Sequence, residues 1–275
     1  MRAPSTIAIL PFVTGTLLAL YVAWGNEGRT ALWIIPFFVI AAIIYVMSPQ
    51  IDWWWYDRNP PKLEDKMIAL IERYSAVYQT FNESEKKFFL DRTALILLTK
   101  NYMPMGGMET VPSDIEVWIA AHLAALTMNI KEDFEVSAYE NVVTYPKMFP
   151  SPQFPLVFHA SEIYQEDGVL MLGIEPMMRG ITLPKQYYNV VLHEWIKVYI
   201  ECFKPTFEAN NQDNWAKLAE ISGYTREHIV ACIGLDDVDF RVASIHHFFH
   251  FQTNFQAQLP QLYNEYRLIF YRDKI

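Results

Sequence analysis

The stretch NVVLHEWIKVYIE, residues 189–201, decides how the rest of the chain is interpreted. Its apolar positions recur at helical spacing and predict a helix over about 187–203. His193 and Glu194 begin the pattern His-Glu-x-x-His, in which two histidines four positions apart lie on one helix face. The position of the second histidine holds Lys197. The helix therefore carries a working metal site, a site that has lost its metal, or an ordinary His-Glu pair.

Lys197 argues against an ordinary zinc site. In the intact pattern the histidines bind zinc, and the glutamate is the general base on the metal-bound water. A lysine offers a lone pair only as the neutral amine, and neutralising it at pH 7 costs about 4.6 kcal/mol. The protonated form repels the cation. From these residues alone, His193 also fits an ordinary structural histidine.

The first fifty residues predict a transmembrane hairpin. Two uncharged apolar runs, Ile7–Trp24 and Ala31–Met47, are separated by a polar turn at 25–30. Each run approaches the roughly 20 residues that span a bilayer as a helix. The alternative for the first run is a cleaved signal peptide. On the hairpin interpretation the chain is anchored in the lipid bilayer.

Residues 51–62 predict an interfacial linker. Aromatic residues at 53–56 are typical of the headgroup level of a membrane, and Pro60 and Pro61 stiffen the exit. A two-helix hairpin leaves both of its ends on one side of the membrane. Four basic residues lie near those ends, namely Arg2, Arg58, Lys62 and Lys66, whereas the turn between the two runs has one, Arg29. We therefore expect the soluble domain on the cytoplasmic side of the inner membrane.

Residues 63–275 predict one soluble α+β domain. Asn82 with Glu85, and Ser113 with Glu116, form the spacing of a capping box at two helix starts. Apolar periodicity predicts helices over 63–79, 82–100, 113–127, 187–203, 211–223, 236–255 and 260–270. Short strands are predicted over 141–145 and 168–173.

Charge and cysteine content exclude several classes of function. The net charge is −9 and the basic residues form no stripe, so we expect no nucleic-acid partner. Cys202 and Cys232 are too few for a disulfide framework or a cysteine-based zinc site. Both are expected to be small buried residues, not nucleophiles. Glycine motifs for nucleotide binding and a serine nucleophile elbow are absent from the sequence.

Three stretches together resemble the Mlc titration factor A family of zinc-dependent peptidases. They are VTYPKMF at 143–149, GVLMLGIEPMMRG at 168–180 and YYNVVLHEW at 187–195. The resemblance covers about Leu63 to Tyr271. It implies a zincin-like α+β fold with the metal between two long helices. It also implies a cytoplasmic regulatory partner, such as a transcriptional repressor.

The departures from that family fall on its site residues. Of the implied metal ligands, His193 is present, Lys197 replaces the second histidine, and Asp239 replaces a glutamate. Three further site positions have changed, to Ile200, Cys232 and His246. We therefore predict a pseudopeptidase without a cofactor, in which Glu194 is a vestigial general base and His193 and Asp239 are vestigial ligand positions. Lys197 is expected near Glu194 and Asp239, where its ammonium neutralises them.

Two other interpretations remain open. In the first, the chain is an active zinc peptidase with rearranged ligands: Asp239, His246 and His250 share a helix stripe and join His193. In the second, the domain binds a protein partner without any ancestral chemistry. In either case the strand that contains Tyr145 is a candidate for pairing with an extended peptide, although plain core packing is the favoured explanation of Tyr145 and Phe149.

Overall fold

The computed structural model describes residues 4–25, 31–207, 214–236 and 238–271. By contacts within the chain it divides into two compact units, Met1–Pro61 and Lys62–Ile275. Each unit is described by itself. Arg2, Arg29, most of the predicted turn at 25–30 and the predicted helix start at 211–213 lie outside the described residues.

The first unit consists of helices α1 (Pro4–Gly25), α2 (Ile34–Val46) and α3 (Ser48–Arg58). Within the described residues, α1 is the one single helix that is long and apolar enough to cross a membrane. The second predicted run forms Ala31–Val46, which passes the same test only together with α3, across a bend of 62°. The predicted aromatic linker is therefore helical, because it forms most of α3.

Side chains tie the three helices of this unit together. The backbone N–H and the hydroxyl of Ser5 donate to the two carboxylate oxygens of Asp52, at 2.7 and 2.8 Å. A Cβ atom on Gly15 would lie 2.6 Å from the ring of Phe37, so α1 and α2 pack too closely there for a side chain. The start of α1 and the middle of α3 consequently lie at the same end of the unit.

The second unit is mostly helical and has one small sheet, which confirms a mixed α+β fold. Its helices are α4 (Asp65–Tyr74), α5 (Ala76–Thr80), α6 (Glu83–Thr99), α7 (Ser113–Leu126), α8 (Ile174–Thr182), α9 (Val190–Phe203), α10 (Trp215–Ser222), α11 (Arg226–Ile233), α12 (Phe240–His250), α13 (Gln252–Gln258) and α14 (Pro260–Phe270). Its strands are β1 (Asn101–Pro104), β2 (Asn141–Tyr145), β3 (Ser161–Tyr164) and β4 (Val169–Gly173).

The sheet has the strand order β1-β2-β4-β3. Strands β1, β2 and β4 are parallel, and β3 pairs antiparallel with β4 at one edge. This order corrects the prediction that the strand containing Tyr145 pairs with an extended peptide. Strand β2 hydrogen bonds to β1 on one side and β4 on the other, and the Tyr145 ring stacks on Phe149 at 4.2 Å. The outer strands of the sheet are β1 and β3.

Local signals predicted some helix limits correctly and others wrongly. The capping box at Asn82 is confirmed, with Oδ1 accepting from the Glu85 N–H at 2.9 Å. The capping box at Ser113 is wrong, because Pro112 is the N-cap of α7 and makes no side-chain bond. Two predicted helices are each divided into two, at Ser75 and at Phe251. Helices α8 and α11 and strands β1 and β3 were not predicted.

Helix α9 lies in the middle of the second unit. It packs against α7, α8 and α12 on the helical side and against β3 and β4 on the sheet side. Its residues from Val190 to Ile196 are all buried. Because a helix enclosed in this way cannot rotate, the side chains that it directs inward are held in fixed positions.

Candidate catalytic site on helix α9

Two hydrogen bonds set the start and the rotation of α9. The N-cap residue Asn189 accepts from the Leu192 N–H through Oδ1 at 3.2 Å, which satisfies one of the free N–H groups of the first turn. The indole N–H of Trp195 donates to the carbonyl oxygen of Ile119 in α7, at 3.0 Å. These contacts direct His193 and Glu194 into the interior.

Glu194 is buried and has partners on both carboxylate oxygens. The Ser161 hydroxyl, on β3, donates to Oε1 at 2.8 Å, and Lys197 Nζ lies 3.2 Å from Oε2. Burial alone would raise the pKa of this carboxyl. The charges of Lys197 and His193 and the Ser161 hydrogen bond outweigh burial, so the pKa of Glu194 lies below its ordinary value. The carboxylate is therefore ionised at neutral pH.

His193 is buried beside Tyr188, a residue that the sequence analysis did not single out. Its Nδ1 lies 3.0 Å from the Tyr188 hydroxyl. Burial raises the pKa of Tyr188 well above its ordinary value, so the phenol keeps its proton. The Tyr188 ring also stacks on His246, with 3.9 Å between ring centroids. One nitrogen of the only histidine left in the His-Glu-x-x-His pattern is therefore engaged inside the protein.

Lys197 extends from the buried carboxylate to the wall of an open cleft. Its side chain is 35% exposed, whereas that of Glu194 is 1% exposed. The cleft has a volume of about 550 Å³, and Asp239 and Arg241 also line it. Asp239 is the N-cap of α12, and its Oδ1 accepts from the Arg241 and Val242 N–H groups at 2.8 and 3.1 Å. Lys197 therefore lies beside Glu194 and shares a cleft with Asp239.

The other predicted alternative ligands converge on Asn189, away from Asp239. The Asn189 backbone N–H donates to Nε2 of His246 at 3.3 Å. The side-chain amide of Asn189 lies 3.1 Å from Nε2 of His250 and 2.8 Å from Nε2 of His122. His122 and His250 line a small cavity of about 30 Å³, which has room for roughly one water molecule. The structure thus separates Asp239 from the histidines that were predicted to join it.

Burial keeps these histidines neutral. It lowers the pKa of His122 to about 4 and that of His250 to about 3, and it lowers the pKa of His246 well below the ordinary value. Nδ1 of His122 lies 2.7 Å from the Trp118 carbonyl oxygen, which can only accept. The proton of His122 is therefore on Nδ1, and Nε2 accepts from the Asn189 amide.

The residues present do not fit a peptidase zinc ion. Such a site needs three protein ligands that converge on one point. Lys197 is ion-paired with Glu194, Asp239 caps a helix, and His193 bonds to Tyr188. Among the residues that the structure describes, no group of three or more His, Cys, Asp or Glu side chains is placed to hold a metal ion.

Four residues of the site were missed by sequence analysis. Ser161 lies on a strand that was not predicted, and Tyr188 and His122 act through contacts between distant segments. Asn189 offered a signal, since an asparagine directly before an apolar helical run is a common N-cap. Both cysteines are half-buried, and burial raises the pKa of both thiols; the Cys232 thiol lies against the Tyr188 backbone.

Comparison with known proteins agrees with the resemblance seen in the motifs as far as residue 198, and the match does not extend over the remaining part of the resemblance, residues 199–271. The sequence profile of the family described as glucose-regulated metallo-peptidase M90 matches residues 51–198, which is more than half of the chain. No curated protein matched the chain. The matched segment contains β1 to β4 and the His193–Glu194 part of α9. The chain belongs to the M90 family of metallo-peptidases.

Proposed function

We propose that this chain is a membrane-anchored, zincin-like member of the M90 family that has no peptidase activity and acts by binding a protein partner. The observation that carries the proposal is the ion pair between Lys197 and Glu194, 3.2 Å apart, at the position of the second histidine ligand. The lysine brings its own positive charge to the place where the family pattern has a zinc ligand.

The ion pair removes the two functions that hydrolysis needs from this helix. A protonated lysine has no lone pair for a metal, and the neighbouring carboxylate favours that protonated form. A general base works best when its pKa lies near the operating pH. The pKa of Glu194 is shifted in the opposite direction, below its ordinary value, so its carboxylate is a weak proton acceptor.

Contacts within the first unit support the membrane anchor. The Ser5–Asp52 bonds and the close approach of Gly15 to Phe37 fit two apolar segments folded back on each other as a hairpin. Small residues let transmembrane helices approach each other closely in this way. The aromatic residues of α3 suit the membrane interface, and the basic residues near the hairpin ends favour the cytoplasmic side of the inner membrane.

The protein partner is a cytoplasmic regulator in this proposal. The resemblance to Mlc titration factor A peptidases supports that class of partner, although it assigns no residue to the contact. A core of buried aromatic and aliphatic side chains surrounds α9. A fold that keeps its core while its ligand positions change is suited to recognition without catalysis.

Bound zinc in the full-length protein, purified in detergent, tests the absence of a working site. Elemental analysis compares the natural chain with Lys197→His and with Lys87→His, a control that also adds a histidine but on the exposed face of α6. We expect no stoichiometric zinc and no peptide hydrolysis in the natural chain. Zinc gained only by Lys197→His would mean that the remaining positions can still converge on a metal.

The same experiment tests the alternative function. An active peptidase with rearranged ligands needs Asp239 to move towards His246 and His250, which the structure holds apart from it. Such a protein would bind zinc in the natural chain and lose it in Asp239→Asn. Stoichiometric zinc together with hydrolysis that a chelator abolishes would refute the proposal and support this alternative.

A further inference from the structure

An exposed apolar loop connects β2 to β3 in the second unit. Leu156 is 93% exposed, Phe158 is 64% exposed and Val157 is 42% exposed. No charged residue occurs from Met148 to Phe158, a run of eleven residues. Single apolar residues on a surface are common, but three large ones in succession on an uncharged loop indicate a surface that is covered in use.

The loop comprises residues 147–158, and hydrogen bonds hold its base firmly. Phe149 and His159 exchange two backbone hydrogen bonds of 3.0 Å, and the Phe149 side chain is buried. The His159 ring bonds to the Val157 carbonyl oxygen at 3.0 Å and to Glu162 at 2.9 Å. The base of the loop is therefore fixed, and the exposure of its apolar side chains is a property of the folded loop.

Several backbone groups of the loop need no partner from outside it. Pro150, Pro152 and Pro155 have no backbone N–H to leave unpaired. The Phe154 N–H lies 3.1 Å from both the hydroxyl and the carbonyl oxygen of Ser151. Because unpaired backbone donors are costly in hydrocarbon, a proline-rich, internally bonded loop enters lipid more readily than an ordinary one.

The linker between the two units is short. Helix α3 ends at Arg58 and α4 begins at Asp65, so only residues 59–64 separate the first unit from the second. Even fully extended, those residues span about 20 Å. If the first unit is embedded, as the proposed function requires, the start of α4 remains within that distance of the residue at which α3 ends. The inference below rests on that anchoring.

We propose that Leu156, Val157 and Phe158 insert into the boundary between lipid headgroups and acyl chains of the bilayer that holds α1. The loop supplies apolar area, and Lys147 at its base is its only charged residue. Insertion is therefore driven by burial of apolar side chains and does not need anionic lipid. The second unit is then fixed to the membrane at two points, the linker and the loop.

Depth-dependent quenching in vesicles tests the proposal. The full-length chain carries Cys202→Ser and Cys232→Ser, with Leu156→Cys as the only site for an environment-sensitive fluorophore. It is reconstituted into vesicles of phosphatidylcholine alone and into vesicles that also contain anionic lipid, each with and without spin-labelled lipid. Lys87→Cys, exposed on α6, is the matched control, and Phe158→Cys is a second site on the loop. Circular dichroism checks that each variant is folded.

We expect blue-shifted emission and strong quenching by spin-labelled lipid at 156 and 158, and neither effect at 87. Quenching that requires anionic lipid would overturn the apolar mechanism. If the chain floats with the vesicles while the label at 156 stays unquenched, the loop does not insert, and a protein partner becomes the candidate cover. If the chain does not float with the vesicles, both the anchor and the loop contact are refuted.

Discussion

Replacing Lys197 with alanine should destabilise the second unit by leaving the Glu194 carboxylate without its counter-ion. Removing one partner of a fully buried ion pair costs about 3–5 kcal/mol, whereas an exposed pair contributes about 0–1 kcal/mol. This pair lies between those limits, because the carboxylate is 1% exposed and the lysine side chain is 35% exposed. Ser161 still bonds to Oε1 in the variant. We expect a loss of about 2 kcal/mol in the free energy of unfolding.

The loss should depend on pH in a defined direction. The pKa of Glu194 is lowered in the folded protein, so the ion pair stabilises the fold above the carboxyl's ordinary value of 4.5. That stabilisation is lost as the pH falls through the lowered pKa that Glu194 has in the folded protein. In Lys197→Ala only His193 and the Ser161 hydrogen bond still oppose burial, so the pKa of Glu194 rises and the carboxyl is protonated at a higher pH. The difference in unfolding free energy between the natural protein and Lys197→Ala should have its full size at pH 7 and should become smaller in acid.

Urea unfolding of the full-length protein in detergent, followed by circular dichroism, measures the effect. Lys87→Ala is the control for loss of an exposed lysine. Adding Glu194→Gln to Lys197→Ala should recover part of the stability, since it removes the unpaired charge. A loss below about 0.5 kcal/mol is typical of neutral surface changes and would refute the reasoning. A loss of equal size at pH 7 and pH 4 would refute it as well.

Two further predictions concern the surroundings of α9. Burial lowers the folded pKa of His122 to about 4 and that of His250 to about 3, so the unfolded chain binds more protons below pH 6.5. The melting temperature should therefore fall as the pH decreases from 6.5 towards 4, and His122→Gln should weaken that dependence; an unchanged slope would contradict this. Gly180→Ala would place a Cβ 2.5 Å from the Tyr188 carbonyl oxygen and should cost about 1–3 kcal/mol of unfolding free energy. Gly25→Ala, with nothing within 4 Å, is its control, and equal stability of the two variants would contradict the steric argument.

The features that the sequence predicted correctly depend on local interactions. The capping box at Asn82 joins residues three positions apart, and α9 follows from its own apolar periodicity. Strand β3 could not be recognised, because four residues with two adjacent buried positions show no alternation. The division at Phe251 was missed because Phe248, Phe251 and Phe255 keep a helical spacing across it.

The candidate site could be predicted only in part. His193, Glu194 and Lys197 are close in sequence, and helical spacing already placed Lys197 beside Glu194. Ser161 is 33 residues from Glu194, and its bond depends on an unpredicted strand at the sheet edge. Asp239 was expected as a ligand from its alignment with the family motif, but a carboxylate at the first position of a helix bonds to the N–H groups of that helix.

The position of Asn189 has a consequence for the order in which this protein is assembled on the ribosome. Its amide joins α9 to His122 on α7 and to His250 on α12. Helix α7 is synthesised well before α9, but His250 follows Asn189 by 61 residues. The nascent chain must therefore carry α9 without its contact to α12 until residue 250 has emerged. A translation product that stops where the family match ends, at residue 198, would contain His193 and Glu194 but would lack the helix that completes their placement.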